Sequence, residues 1–220
     1  MEPDLNIILT YNKIKPFKYT NRHIRKLREN PVEHKDDWKE KHYSSLKRHI
    51  RKEFYTIQKR RCAYCRRKLN PEGKNEHIDH IIARSIKRGW MFKPRNLVLT
   101  CYQCNTQKSN IPYTRTDRNL NSLPKKAINY LYFNPFVHNW SQHFSIVENL
   151  FIKAESTIGQ DTIKEIKLYR YEYSVKYADE ANIYGKTAIK RATQRVYQFN
   201  KNSNEHKSAA KLIKEIEKNI

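Results

Sequence analysis

The four cysteines of this chain fall in two pairs, Cys62 with Cys65 and Cys101 with Cys104, and two residues separate the members of each pair. A Cys-x-x-Cys turn is tight enough to aim both sulfurs at one point, so two such turns can present four thiolates tetrahedrally to one zinc ion at about 2.3 Å. The N-terminus carries no apolar block of the kind a secretory signal needs, so zinc is expected here in preference to two disulfides. Four protein ligands leave no open coordination position, which makes this zinc structural. The metal would close a loop running from Arg66 to Thr100. Inside that loop lie the run EHIDHIIARS, with Asp79 and His80, and then Asn96; Asn105 follows directly on Cys104.

An apolar strand ending in Asp-His, a downstream Asn-Leu, and a Cys-x-x-Cys followed by Asn and a lysine together resemble the ββα-metal core of zinc-ribbon-containing HNH (His-Asn-His) endonucleases. The motifs are specific in combination and weak singly. The resemblance implies that His80 is the general base and that Asn96 braces the loop between the two strands. It also implies that Asp79 is the acidic ligand of a catalytic divalent ion, with Asn105 as the second protein ligand. Asn105 stands where the family usually has its last histidine. The HNH domains of RNA-guided CRISPR nucleases are similar in this respect, so the departure implies an oxygen-rich metal site and not lost activity. His77 matches no catalytic position of the family and is read as an ordinary imidazole.

Chemistry leads to the same assignment. Hydrolysis of a phosphodiester needs a water that loses its proton and a charge that steadies the leaving oxygen; an imidazole suits the first task and a divalent ion the second. Magnesium, or manganese in its place, prefers oxygen donors and is commonly held by one or two protein groups, as Asp79 and the Asn105 amide oxygen would provide. Neighbouring residues on a strand point to opposite faces, so Asp79 and His80 can serve one site only if the strand ends or bends there. A base with an ordinary histidine pKa of about 6.5 would make the rate rise with pH through that value. Lys108, Arg61, Arg66 and Arg67 are expected to contact phosphates, which positions the backbone without reading sequence. No set of side chains stands out as a base reader.

These residues need elements to hold them. Trp38, Tyr43, Leu46, Ile50, Phe54 and Ile57 recur at steps that suit one face of an amphipathic helix between about 36 and 60. The runs HIDHII and NLVLT suit two short strands, and a helix is expected from 102 to 110. The sum is an α+β fold: a small ββα-metal HNH core with structural zinc, flanked by mainly α-helical N- and C-terminal extensions. Its parts are a basic arm and amphipathic helix over 1–60, the nuclease core over 61–112, and a mainly helical region over 113–220. Within the last, a short helix is expected at 124–132, a pair of strands in SIVENLFIKAES, and helices at 161–182, 186–200 and 205–219. The stretch NPFVHNWSQHFSIVEN with TIKEIKLYRYEYSVKYADE has a fainter likeness to the C-terminal region of Septu-type and retron-associated anti-phage HNH nucleases, which work beside an ATPase. It rests on Pro135, His143, Phe144, Leu168 and Arg170, which core packing explains equally well.

Across 220 residues, 45 lysines and arginines face 22 acidic residues, a formal charge of +23. Such a charge favours a polyanion through counterion release, and nucleic acid, DNA ahead of RNA, is the expected partner. No apolar stretch approaches the roughly 20 residues of a membrane span, so a cytoplasmic protein is expected. An ATPase partner is the further expectation of the anti-phage likeness, and a homodimer would be one way to cut both strands. The competing reading, a zinc-ribbon nucleic-acid-binding module or subunit without catalysis, has no use for Asp79, His80 and Asn105 together.

Overall fold

A computed structural model describes residues 13–69, 76–115, 119–147 and 151–168, together with isolated positions between 202 and 214. Lys13–His138 form one compact unit, and the described residues from Asn139 onward belong to a second.

At the centre of the first unit, β1 (Glu76–His80) pairs antiparallel with β2 (Leu97–Cys101), with His77 opposite Thr100 and His80 opposite Leu97. Helix α3 (Tyr102–Lys108) follows β2 without a break, so the two strands and this helix make the expected ββα unit. Every residue of β2 is buried, which a strand so short requires if it is to belong to a core.

Two helices precede this unit. The nine residues of α1 (Asn21–Glu29) start at Thr20, whose hydroxyl accepts from the His23 amide, and the helix buries none of its side chains. Helix α2 (Ser44–Ile57) buries Leu46, Ile50 and Phe54, one turn apart, against the two strands. It is shorter than the periodicity predicts. Lys35–Lys39 and Lys41–Tyr43 are separate 3-10 turns, because the Asp37 carboxylate accepts from the Glu33 and His34 amides at 2.8 and 2.9 Å and ties the chain into a local cap. Trp38 is thereby released from the helix face.

Just beyond α2, Gln58 acts as a splint for β2. Its Oε1 accepts from the Leu99 amide at 2.8 Å, and its Nε2 donates to the Leu99 and Arg61 carbonyls at 2.7 and 2.8 Å. Lys59 and Arg60 then adopt positive φ, turning the chain into the first cysteine pair.

On the other side of the core, Leu131 N–H donates to the Tyr113 carbonyl and Ile14 N–H to that of Pro135. The helix expected at 124–132 is one 3-10 turn, Ala127–Asn129; Tyr130 pairs with Thr114 as an isolated bridge and its hydroxyl donates to the Pro124 carbonyl, which holds the segment extended.

In the second unit β3 (Phe144–Val147) and β4 (Phe151–Ala154) form the expected hairpin. Helix α4 (Thr157–Ile166) begins earlier than predicted because Ser156 caps it, accepting from the Gly159 amide at 3.0 Å. It stops at Lys167, which is left-handed. The remainder of the predicted helix at 161–182 and the helices at 186–200 and 205–219 lie outside the described residues, isolated positions apart.

Gln58 gives this architecture a simple test. Gln58→Ala removes the acceptor of the buried Leu99 N–H, so unfolding stability should fall by about 1–3 kcal/mol in a denaturant titration. A loss under about 0.5 kcal/mol, the size of an ordinary surface substitution, would contradict the splint.

Candidate active site and metal centres

The two Cys-x-x-Cys turns meet. The sulfurs of Cys62, Cys65, Cys101 and Cys104 are all buried and lie within 4.8 Å of one another. Cys65 and Cys101 are 3.8 Å apart, which is about the sulfur–sulfur edge of a tetrahedron with zinc–sulfur bonds of about 2.3 Å. Four thiols and no other donor class fit a closed, structural zinc site. Each turn owes its shape to the backbone. The Cys62 amide donates to the Arg67 carbonyl, the Arg66 amide donates to the Cys62 carbonyl, and Arg66 adopts a φ of 58°. The second turn straddles the junction of β2 and α3, where Cys101 caps the helix and its sulfur accepts from the Cys104 amide.

Arg66 and Arg67, which follow Cys65 directly, are buried and not on the surface. They are 1 % and 3 % exposed, and Arg67 Nη2 donates to Gln103 Oε1 at 3.0 Å. Burial disfavours the Arg67 cation, but the neighbouring thiolates outweigh that and hold it more firmly protonated than usual. Buried as they are, neither presents its guanidinium at the surface as the expected contact with phosphate requires; Arg67 instead offsets the negative charge of the thiolate cluster. Arg61 is partly exposed, and its Nη1 donates to the Arg66 carbonyl at 2.9 Å.

A cavity of about 270 Å³ opens beside β1, and His77, Asp79, His80, Asn105, Trp38 and Arg84 are among its lining residues. Asp79 and His80 share it because β1 ends at His80. There the Asn96 side chain takes over from the strand ladder: its Oδ1 accepts from the Ile82 amide at 2.8 Å, and its Nδ2 donates to the Ile82 and Trp90 carbonyls at 3.0 and 3.2 Å. Asn96 is fully buried, and it fixes the turn that brings His80 back to the cavity.

The Asp79 carboxylate is held from two sides. Tyr64 Oη donates to Oδ2 at 2.7 Å and Lys108 Nζ to Oδ1 at 3.3 Å. Burial pushes the Asp79 pKa above the usual carboxylate range, against the opposing pull of Lys108 and Tyr64. Lys108 also donates to the His80 carbonyl at 2.7 Å and is 0 % exposed. Placed there, it cannot reach a phosphate, and that expectation too is corrected. A lysine near the end of α3 meets the β1 terminus inside the ββα unit, where its ammonium ties the carboxylate to the turn.

His80 Nε2 lies 3.1 Å from the Met91 carbonyl, which can only accept; Nε2 therefore carries the hydrogen and Nδ1 is the basic nitrogen. Trp38 packs against the ring at 4.7 Å, edge to face, and is itself stacked on Phe92. Burial pushes the His80 pKa down to about 3, and the nearby Lys108 and Arg84 charges act in the same direction. The imidazole is neutral at physiological pH, and the expected rise in rate through pH 6.5 loses its basis.

His77 was not expected here. As the residue two before Asp79 on β1 it faces the same side, and its Nδ1 lies 3.3 Å from Asn105 Nδ2. The period-two spacing His-x-Asp carried that signal. Asp79 and Asn105 offer hard oxygen donors in a cavity with room for water, a donor set that fits a divalent cation such as magnesium.

The HNH endonuclease family model matches residues 62–110. These residues form an HNH endonuclease domain. No curated protein and no solved structure matches the chain. Every group described above that lines the cavity, apart from Trp38, comes from within the HNH domain, and both cysteine pairs lie inside its limits.

Two outcomes follow from this geometry. Elemental analysis should find about one zinc per chain, and Cys101→Ser should lose both the metal and cooperative unfolding; a zinc-free protein that still unfolds cooperatively would contradict the assignment. NMR of His80 should show a neutral ring with hydrogen on Nε2 from pH 5 to 8, and a titration midpoint near 6.5 would contradict it. Because this pKa is depressed in the fold, the unfolded chain takes up the proton first as pH drops below about 6.5, so His80 costs the fold stability progressively toward acid.

Proposed function

We propose that this protein is a metal-dependent endonuclease that hydrolyses the phosphodiester bonds of DNA, with His80 as general base and Asp79 and Asn105 as the protein ligands of Mg²⁺ or Mn²⁺. The observation that carries the reading is the convergence of Asp79, His80 and Asn105 on one cavity with the unprotonated Nδ1 of His80 available. His77 lines the same cavity, with its Nδ1 3.3 Å from Asn105 Nδ2.

In this reading His80 Nδ1 takes the proton of an attacking water, whose oxygen bonds to phosphorus while the ester bond to the leaving oxygen breaks. The Nε2 hydrogen bond to Met91 keeps the ring in the accepting tautomer, and Trp38 holds its plane. Lys108 and Asn96 fix the backbone on either side, so base and carboxylate keep their separation. The divalent ion, when bound, supplies positive charge to the leaving oxygen. The formal charge of +23 supports a polyanionic substrate, with DNA ahead of RNA. The likeness of NPFVHNWSQHFSIVEN and TIKEIKLYRYEYSVKYADE to nucleases that act beside an ATPase is the ground for including a partner of that kind and an anti-phage role in this proposal. Light scattering of the protein alone and with neighbouring gene products tests both that partner and a homodimer.

Incubation with supercoiled plasmid, linear DNA and RNA, with and without added magnesium or manganese, tests the reading as a whole. His80→Ala should cut roughly 100- to 10,000-fold more slowly while still binding metal and DNA. Asp79→Ala should also lose cleavage, but through weaker divalent-ion affinity, so that raised manganese restores it in part and leaves His80→Ala unrescued. A folded His80→Ala protein that cuts at the wild-type rate would contradict His80 as the general base, and a wild-type protein that binds nucleic acid without cutting it would favour the non-catalytic zinc-ribbon module.

A further inference from the structure

The reading above leaves the incoming phosphate in need of a cation. Lys108 is committed to Asp79 and His80, and Arg66 and Arg67 are buried. Among the side chains lining the 270 Å³ cavity there is a single lysine or arginine, Arg84. It is half-buried, four residues beyond His80 and just past the turn that Asn96 braces.

Among the described residues, the Arg84 guanidinium makes one hydrogen bond, from Nη1 to the Lys35 carbonyl at 3.0 Å, and no ion pair. A guanidinium presents its donors as a rigid planar fork, so one anchored N–H aims the rest and leaves them available. Arg84 also lines a second, larger cavity of about 880 Å³, where Lys87 and Arg88 stand with it and Glu33, Asp36 and Glu40 lie among the other lining residues. The carboxylates repel a phosphate backbone and the cations attract it. Where the two cavities share a residue, that residue is the cation.

We infer that Arg84 is the residue that grips the phosphate to be cleaved, with the Lys35 carbonyl holding its fork at the mouth of the HNH cavity. The inference rests on the nuclease reading for the word cleaved, but the phosphate contact itself is measurable without cleavage. An arginine suits the task because it can hold the carbonyl with one N–H and phosphate oxygens with others; a lysine ammonium cannot fix both geometries.

The test uses the full-length, zinc-loaded protein with Arg84→Ala and Arg84→Lys. Single-turnover cleavage of one DNA duplex is measured with magnesium, and binding of the same duplex is measured without added divalent ion over a range of salt. Arg84→Ala should cut about 100-fold more slowly, the scale of one lost transition-state donor, and its log K against log salt should become shallower by about 0.9, the signature of one lost phosphate contact. Arg84→Lys should keep the wild-type slope and still cut at least about 10-fold more slowly. An Arg84→Ala protein that cuts at the wild-type rate overturns the inference. So does lost cleavage with an unchanged salt slope, which would make Arg84 only a latch for the 35–39 turn. Should Arg84→Ala fail to fold, Arg84→Lys decides, and wild-type cleavage by it overturns the inference. A wild-type protein that binds DNA without cutting refutes the nuclease reading and leaves the slope alone to judge Arg84. One that binds neither DNA nor RNA refutes both.

Discussion

Everything in the first unit that concerns chemistry hangs on the closure of the Arg66–Thr100 loop by four thiolates. The β1–β2 pair has five residues on each strand, too little hydrogen bonding and apolar area to hold a register by itself. The cysteine cluster joins the turn at Cys62–Cys65 to the junction of β2 and α3. Helix α2 then needs only to cover the free face, with Leu46, Ile50 and Phe54, and Gln58 stitches the outer edge of β2. Burying Arg67 is compatible with this arrangement because the thiolate cluster supplies the compensating charge.

The second constraint is the charge placed beside β1. A lysine with no exposed surface, a carboxylate and a tyrosine hydroxyl form one network that a purely apolar packing would replace at less cost in desolvation. Its retention makes sense in terms of position. Lys108 ties the side chain of Asp79 to the backbone of His80, so neighbours that a regular strand would point apart are held at one opening. Burial first, and then the same ammonium charge, disfavour a proton on His80, and the hydrogen bond to Met91 fixes the tautomer that leaves Nδ1 as the accepting nitrogen.

Much of this was legible in the chain. The cysteine cluster followed from two identical spacings, because ligand spacing is a local property. Asp79, His80, Asn96 and Asn105 followed from a motif in which short elements and turn residues occur in a set order. What escaped depends on how separate segments meet. Trp38 reads as one more position on the α2 stripe, but the Asp37 cap breaks the helix and delivers the indole to His80. Lys108, Arg66 and Arg67 read as surface cations because basic residues usually are; the burial of Lys108 depends on the Asp79 carboxylate and that of Arg67 on the thiolates, brought from elsewhere in the fold. His77 was passed over because the family motif does not use it, although strand periodicity placed it on the side of Asp79.

If the thiolate cluster is what holds the strand pair, and through it the cavity, then amide hydrogen exchange of the wild-type protein with and without bound zinc is the most direct measurement. With zinc, the β2 amides of Leu97–Cys101 and the Ile81 amide, which donates to the Asn96 carbonyl, should exchange only through global opening. Stripped of zinc, the same amides should lose that protection together, while α2 retains part of its own. Protection of β2 and Ile81 that persists unchanged after the metal is removed would contradict the account.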